Sequence, residues 1–115
     1  MRTVVLTRED GQVVCEHCLL AEKPWTRMRG LLGRSGLAPG EGMLISRTGS
    51  VHTFFMRFPI DVVFLDADLV VLGIRAELGA WRMAAQRRAK YALELPAGEA
   101  ARRGVVVATR LARAS

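Results

Sequence analysis

The sequence predicts an α+β fold, a compact and mainly antiparallel β-barrel-like sheet with two short helices. Three observations carry this expectation. Short runs rich in valine, isoleucine and phenylalanine recur between glycine, proline and aspartate turn signals. Only two segments show helical spacing or helix-end residues. Strands do not alternate with long helices, so no βαβ rhythm is visible.

Val4–Leu6 and Gln12–Leu20 read as strands of an opening hairpin around Glu9-Asp10-Gly11. Pro24 suits the first turn of a helix, Trp25, Met28 and Leu32 recur on one face, and Gly33 can cap its end. Gly30 inside this helix implies close approach of another backbone, since it costs about 1 kcal/mol of helix propensity. Ser35–Gly42 is a loop, and Met43-Leu44-Ile45 opens the next strand. After a turn at Arg47–Ser50, alternation from Val51 to Phe58 puts His52, Phe54, Met56 and Phe58 on one face and Thr53, Phe55 and Arg57 on the other. Phe54, Met56 and Phe58 then read as core.

Pro59 interrupts any ladder, so a bend is expected there, with a new strand from Ile60. Ile60–Leu65 and Leu69–Ala76 form the clearest hairpin, joined at Asp66-Ala67-Asp68. Leu78–Ala89 is a long basic stretch, read as partly helical or as a surface excursion. Tyr91–Leu95 is another strand, Gly98–Gly104 one or two helical turns ending at glycine, and Val105-Val106-Val107 a final strand.

With 115 residues, half of them apolar and 24% charged, the chain is expected to fold as a single domain spanning 1–115, with a core that requires neither disulfide nor metal. No stretch reaches the ~20 apolar residues of a membrane helix. Arg2 and Arg8 leave no room between them for the apolar core of a secretion signal, so the expected location is the cytoplasm.

The net charge of +6 is unevenly distributed. Residues 1–74 carry eight basic and eight acidic side chains, and 75–115 carry nine and three, so the excess lies in the last third. Trp81-Arg82-Met83-Ala84-Ala85-Gln86-Arg87-Arg88-Ala89-Lys90-Tyr91 combines four cations with two aromatics. Single-stranded nucleic acid is bound by such a mixture through stacking and phosphate contact, and a solvated basic loop has the same composition.

The two cysteines form Cys15-Glu16-His17-Cys18, a spacing open to a redox pair, half a zinc site, or no chemistry. No convincing helix begins there to activate a thiol. On a regular strand, positions three apart face opposite ways and cannot share a metal, although a turn could bring the thiols together with His17 or His52. The expected reading is small, partly buried cysteines, with no metal site and no cofactor.

His52, Arg57 and Asp61 flank the Pro59 bend among apolar residues, with Glu41 a further potential partner of Arg57. Arg57 could clamp a carboxylate or phosphate, His52 could exchange a proton near neutral pH, and Asp61 could orient either. The structural alternative pairs Arg57 with Asp61 or Glu41 to hold loops together. A histidine and a carboxylate without nucleophile or metal do not make a catalytic set, and Gly-x-Ser-x-Gly, phosphate-loop, HExxH and dinucleotide motifs are absent.

Several blocks together resemble one family. Arg29-Gly30-Leu31-Leu32-Gly33-Arg34, Gly40-Glu41-Gly42-Met43-Leu44, the run from Ser50 to Asp66, Trp81-Arg82 and Tyr91-Ala92-Leu93-Glu94-Leu95-Pro96-Ala97-Gly98 stand in the order of domain-of-unknown-function family number 192, also called uncharacterised protein family 0127, which is bacterial and archaeal. The resemblance runs from about Val14 to about Arg110. It implies a fold and no activity. The chain departs from the family at two turns that usually hold glycine, at Asp66-Ala67-Asp68-Leu69 and at Val107-Ala108-Thr109.

The sequence therefore leads to an expectation of non-catalytic binding of a small anionic ligand or an acidic peptide end at the Pro59 bend, through His52, Arg57, Asp61 and Glu41. The alternative is single-stranded nucleic-acid binding through Trp81, Arg82, Arg87, Arg88, Lys90 and Tyr91. Weak hydrolase or redox activity, the latter through Cys15 and Cys18, is a third reading.

Overall fold

A computed structural model of the chain describes residues 2–29 and 31–114, so Gly30 and its expected close approach lie outside the described residues, as does the side chain of Met28. In chain order the elements are β1 (Thr3–Arg8), β2 (Val13–Ala21), α1 (Pro24–Arg29), β3 (Glu41–Ser46), β4 (Ser50–His52), β5 (Ile60–Leu65), β6 (Val71–Leu78), β7 (Met83–Ala85), β8 (Tyr91–Pro96), α2 (Glu99–Arg102) and β9 (Leu111–Ala114). Seven strands form one sheet in the order β6-β5-β8-β3-β2-β1-β9, while β4 and β7 form a separate two-stranded sheet.

The sheet is mixed, because β2 and β3 run parallel with Cys18 opposite Gly42 and Leu20 opposite Leu44. Helix α1 lies in the connection between them, so the chain contains one β-α-β crossover that its short helix concealed. The expected barrel does not close. Its two edge strands, β6 and β9, meet only near one end, where Val70 bridges Arg110 and the Val71 N–H donates to the Thr109 carbonyl at 2.8 Å.

Both faces of the sheet are covered, which is why all six residues of β5 are buried. One face packs Leu6, Leu44, Val63, Leu93 and Leu95 together, with Ala100 of α2 and Val105 over them. The other packs Met43, Ile45, Val62, Phe64 and Ala92 beneath Leu31, Val51, Met56 and Ala84. These last four come from the chain after α1 and from the small sheet with its adjoining loop.

Several local expectations hold. Gly11 turns the first hairpin at φ 87°, β5 starts directly after Pro59, and Gly104 ends the α2 region at φ 69°. Others do not. The strand expected over Val51–Phe58 ends at His52, because Phe55 adopts φ 65° and the chain turns. Met56 is buried and Phe58 packs against the same core, but Thr53 is buried and Phe55 is exposed, so alternation fails. Leu78–Ala89 contains no helix; it carries β7, paired to β4. Val105–Val107 is not a strand, and Val106 and Val107 are exposed, while the final strand is Leu111–Ala114. Leu32 packs on the core but Trp25 is 66% exposed, so the apolar stripe expected on the first helix is incomplete.

Leu69 at φ 64° and Ala108 at φ 76° occupy the left-handed region at the two turns where the family usually has glycine. Both turns reach positive φ without glycine. Asp66 stabilises the first, its Oδ1 accepting the backbone N–H groups of Asp68 at 2.8 Å and Val70 at 3.0 Å. Among the described residues, no helix is long and apolar enough to cross a membrane.

Candidate functional site

The four residues expected at the Pro59 bend are not brought together. Asp61, on β5, is fully buried. Its Oδ1 accepts the backbone N–H groups of Glu77 at 2.8 Å and Gly98 at 3.0 Å, and its Oδ2 accepts that of Ala100 at 2.9 Å. Three main-chain donors occupy the carboxylate, which ties β5 to β6 and to α2. Glu41 is likewise engaged locally, accepting the Ala38 N–H at 2.8 Å and pairing with Arg34 at 3.4 Å. Arg57 is exposed on the turn before Pro59, and neither expected partner, Asp61 or Glu41, forms an ion pair with it.

His52 does border a cavity. Its Nδ1 accepts the Phe54 N–H at 3.2 Å, so a neutral ring carries its proton on Nε2 and presents a donor. The cleft beside it has a volume of about 310 Å³ and lies between α1, β3 and the small sheet. Leu31, Ile45, Val51 and Met56 contribute apolar wall, and Arg27, Arg47 and His52 contribute cations or donors. Arg27 is half-buried and Arg47 is exposed.

Glu94 of β8 also lines this cleft and is 3% exposed. Its cross-strand neighbours are Met43 on β3 and Val62 on β5, both apolar. Among the described residues, no donor reaches Glu94 Oε1. Burial pushes this carboxyl up to about 7, so it exchanges its proton near neutral pH. An acidic group with an orphaned oxygen, at the edge of a small apolar cavity, can bind or transfer a proton to whatever enters.

Sequence reasoning missed Glu94. Leu93-Glu94-Leu95 reads as an ordinary half-buried strand, with glutamate facing solvent. No signal in the sequence marked it, because its burial follows from β8 being paired on both sides and from the cover on both faces of the sheet.

The residues expected to bind nucleic acid separate into two groups. Trp81 is 59% exposed, and its ring lies 5.7 Å from Phe54 and 4.6 Å from Phe55, which is 71% exposed. Arg82 beside it is held by its backbone, whose N–H donates to Thr53 Oγ1 at 2.9 Å. Arg87, Arg88 and Lys90 are exposed in the turn leading to β8, with Arg88 at φ 68°. Tyr91 is half-buried on the strand, with the Arg113 guanidinium 5.8 Å from its ring. Lys90, Tyr91, Arg47 and Arg113 border a depression of about 520 Å³, distinct from the Trp81 cluster.

Cys15 and Cys18 share the buried core face, contrary to the expectation for a regular strand. The register explains this. Val4 pairs with Cys18 and Leu6 with Cys15, so two steps on β1 match three on β2, and the extra residue restores a common facing. Both thiols are free and fully buried, and the Cys15 S–H donates to the Gly40 carbonyl at 3.4 Å. Contact with Cys15 and burial push the Cys18 thiol well above its usual range, so it stays protonated. Among the described residues, no cluster of three or more His, Cys, Asp or Glu could hold a metal ion.

The sequence matches, over residues 5–112, a family described as Uncharacterized ACR. A crystal structure from Sinorhizobium meliloti 1021, described as a candidate transcription regulator, is similar, with 28% identity and a TM-score of 0.84 over 96% of this chain and 91% of that one. A protein of unknown function from Novosphingobium aromaticivorans DSM 12444 has the same fold, at 24% identity and a TM-score of 0.83 over 96% of this chain and 83% of that one. No curated protein matches the chain significantly.

Proposed function

The chain belongs to the DUF192 family, a family of unknown function, and from the cleft that its fold builds we propose that it binds a small anionic ligand, or the end of an acidic peptide, without catalysing a reaction on it. One observation carries this reading: Arg27 of α1 and Arg47 of the turn after β3 line, with His52, a cavity that has apolar walls. At about 310 Å³ the cavity lies at the low end of the roughly 300–1,000 Å³ typical of small-molecule sites. The guanidinium groups supply paired donors for carboxylate or phosphate, and His52 Nε2 adds a third.

This moves the anion from the Pro59 bend to the neighbouring cleft, keeping His52. Arg57 remains the competing cation. Asp61 and Glu41 act as supports for the backbone around the site. A thermal-shift titration with a set of small carboxylates and phosphates separates these assignments. At least one anion is expected to raise Tm, with affinity reduced tenfold or more in Arg47→Ala and unchanged in Arg57→Ala. The reverse pattern would restore the Pro59 bend, and an absence of any binder would remove the reading.

A second reading, nucleic-acid binding, rests on the exposed rings of Phe55 and Trp81 beside Arg82. The description of the Sinorhizobium meliloti relative is compatible with it, but belongs to that protein. Stacked bases on Trp81 with phosphates on Arg82, Arg87, Arg88 and Lys90 would give affinity that falls steeply with salt. Filter binding of a single-stranded oligonucleotide at two salt concentrations tests it, since salt-independent or absent binding excludes the interface.

A further inference from the structure

We propose that the ligand of the cleft is a small zwitterion of the amino-acid class, whose ammonium group pairs with Glu94 while its carboxylate is held by Arg27, Arg47 and His52. This rests on the anion-binding reading above and adds the second half of the ligand.

Glu94 Oε1 is a buried acceptor for which no donor lies in reach among the described residues. A native fold rarely leaves such a group unmatched, because an unpaired buried acceptor carries its whole desolvation penalty. The chain supplies no cation on either neighbouring strand, where Met43 and Val62 flank the carboxylate. A ligand ammonium supplies both missing features, a charge of opposite sign and hydrogen-bond donors.

Charge also orients the ligand. An anion placed against an ionised Glu94 would be repelled, whereas Arg27 and Arg47 line the same cleft and attract it. The two ends of the ligand therefore have opposite signs. Leu31, Ile45, Val51 and Met56 provide apolar wall for whatever lies between or beside the charged groups, which is the layout of an amino acid with a side chain. The cavity volume of about 310 Å³ is sufficient for one such molecule.

The groups that face Glu94 across the cleft are Arg27 from α1, Arg47 from the turn after β3 and His52 from β4. None is acidic. Burial keeps the Glu94 carboxyl partly protonated near neutral pH. Pairing with an ammonium favours the ionised form, so capture of the zwitterion releases a proton at or below neutrality.

The test is isothermal titration at pH 8 of the twenty L-amino acids, each beside its deaminated acid and its decarboxylated amine, into the native protein and Glu94→Gln. At least one amino acid is expected to bind tenfold or more tightly than both of its analogues. In Glu94→Gln its advantage over the deaminated acid should disappear, and the acid itself should bind at least as tightly as to the native protein, because the repelling charge is gone. Repeating the native titration at pH 6.5 in two buffers of different ionisation enthalpy should show a fraction of a proton released per ligand.

Deaminated acids that bind as tightly as their amino acids would overturn the zwitterion and leave the anion-binding reading intact. Amines that match the amino acids would overturn both the zwitterion and the arginine contact. Failure of every amino acid would overturn this proposal, and the separate carboxylate and phosphate titration would then decide the anion-binding reading by itself. Circular dichroism and Tm of Glu94→Gln guard against loss of folding.

Discussion

The Asp61 carboxylate accepts the Ala100 backbone N–H at 2.9 Å through Oδ2, joining the second residue of β5 to the second residue of α2. With Oδ1 bonded to Glu77 and Gly98, the side chain substitutes for backbone partners that these loops lack. Asp61→Ala strands the buried Ala100 N–H and frees two partly buried donors that water can reach, so a loss of about 1–3 kcal/mol is expected. Asp61→Asn keeps one acceptor oxygen and should lose less. Urea midpoints read both, and a midpoint for Asp61→Ala equal to that of the native protein would contradict the structural role.

Glu94 should make the protein less stable as pH rises. Its carboxyl titrates near 4.5 in the unfolded chain and at about 7 when folded. Between these values the unfolded state has released a proton that the folded state still holds, so stability falls from pH 4.5 through 7 and levels above. The full span is ~3 kcal/mol at 1.36 kcal/mol per unit, an order-of-magnitude figure. Glu94→Gln should remove this slope and be more stable than the native protein at pH 8. Asp10, Glu16 and Glu22 are held below the usual carboxylate range by Arg8, Arg103 and Arg2. Their contribution is lost at lower pH, as pH falls, so the difference curve between native and Glu94→Gln isolates Glu94.

Ala108→Gly should stabilise the fold. Ala108 is exposed and sits at φ 76°, where a Cβ costs about 1–2 kcal/mol, and glycine returns about 0.5–1 kcal/mol of that as extra freedom in the unfolded chain. A net gain of up to ~1 kcal/mol follows. Leu69→Gly relieves the same strain at φ 64° but removes a side chain packed on the core, so its sign should be reversed. Thermal denaturation of the two variants compares them directly.

Gly42→Ala should destabilise the protein and disturb the cleft. A Cβ at this position would stand 2.9 Å from the Glu94 backbone oxygen and 2.9 Å from Cys15 Sγ. The thiol can rotate away, but the carbonyl belongs to the adjacent strand and cannot. Overpacking of this kind costs about 1–3 kcal/mol. The double variant Gly42→Ala/Cys15→Ala should recover only part of the loss, and full recovery would assign the whole effect to the sulfur.

Local features were legible in the chain because they depend on neighbouring residues. Gly11, Pro24, Pro59 and Gly104 mark element ends through φ preferences that need no tertiary context. The strand Ile60–Leu65 was likewise visible as a run rich in β-branched residues, and the family blocks located the chain among its relatives. The Val51–Phe58 alternation misled, because period two also arises by chance in a turn, and Phe55 at φ 65° breaks it. Of the candidate ligands only His52 survived on the cleft, since Asp61 and Glu41 found backbone donors that lie far off or unseen in a linear reading.

The sequence by itself determined that Ile60–Leu65 and Tyr91–Leu95 extend and that Gly11, Pro59 and Gly104 mark breaks. Only the tertiary structure decided that β2 runs parallel to β3, that a bulge turns Cys15 and Cys18 to one face, and that Glu94 is enclosed. Periodicity encodes the side of a strand on which a residue stands; it does not encode the partner strand or the layer above it. Whether a glutamate meets bulk water or the apolar floor of a cleft depends on those two distant choices.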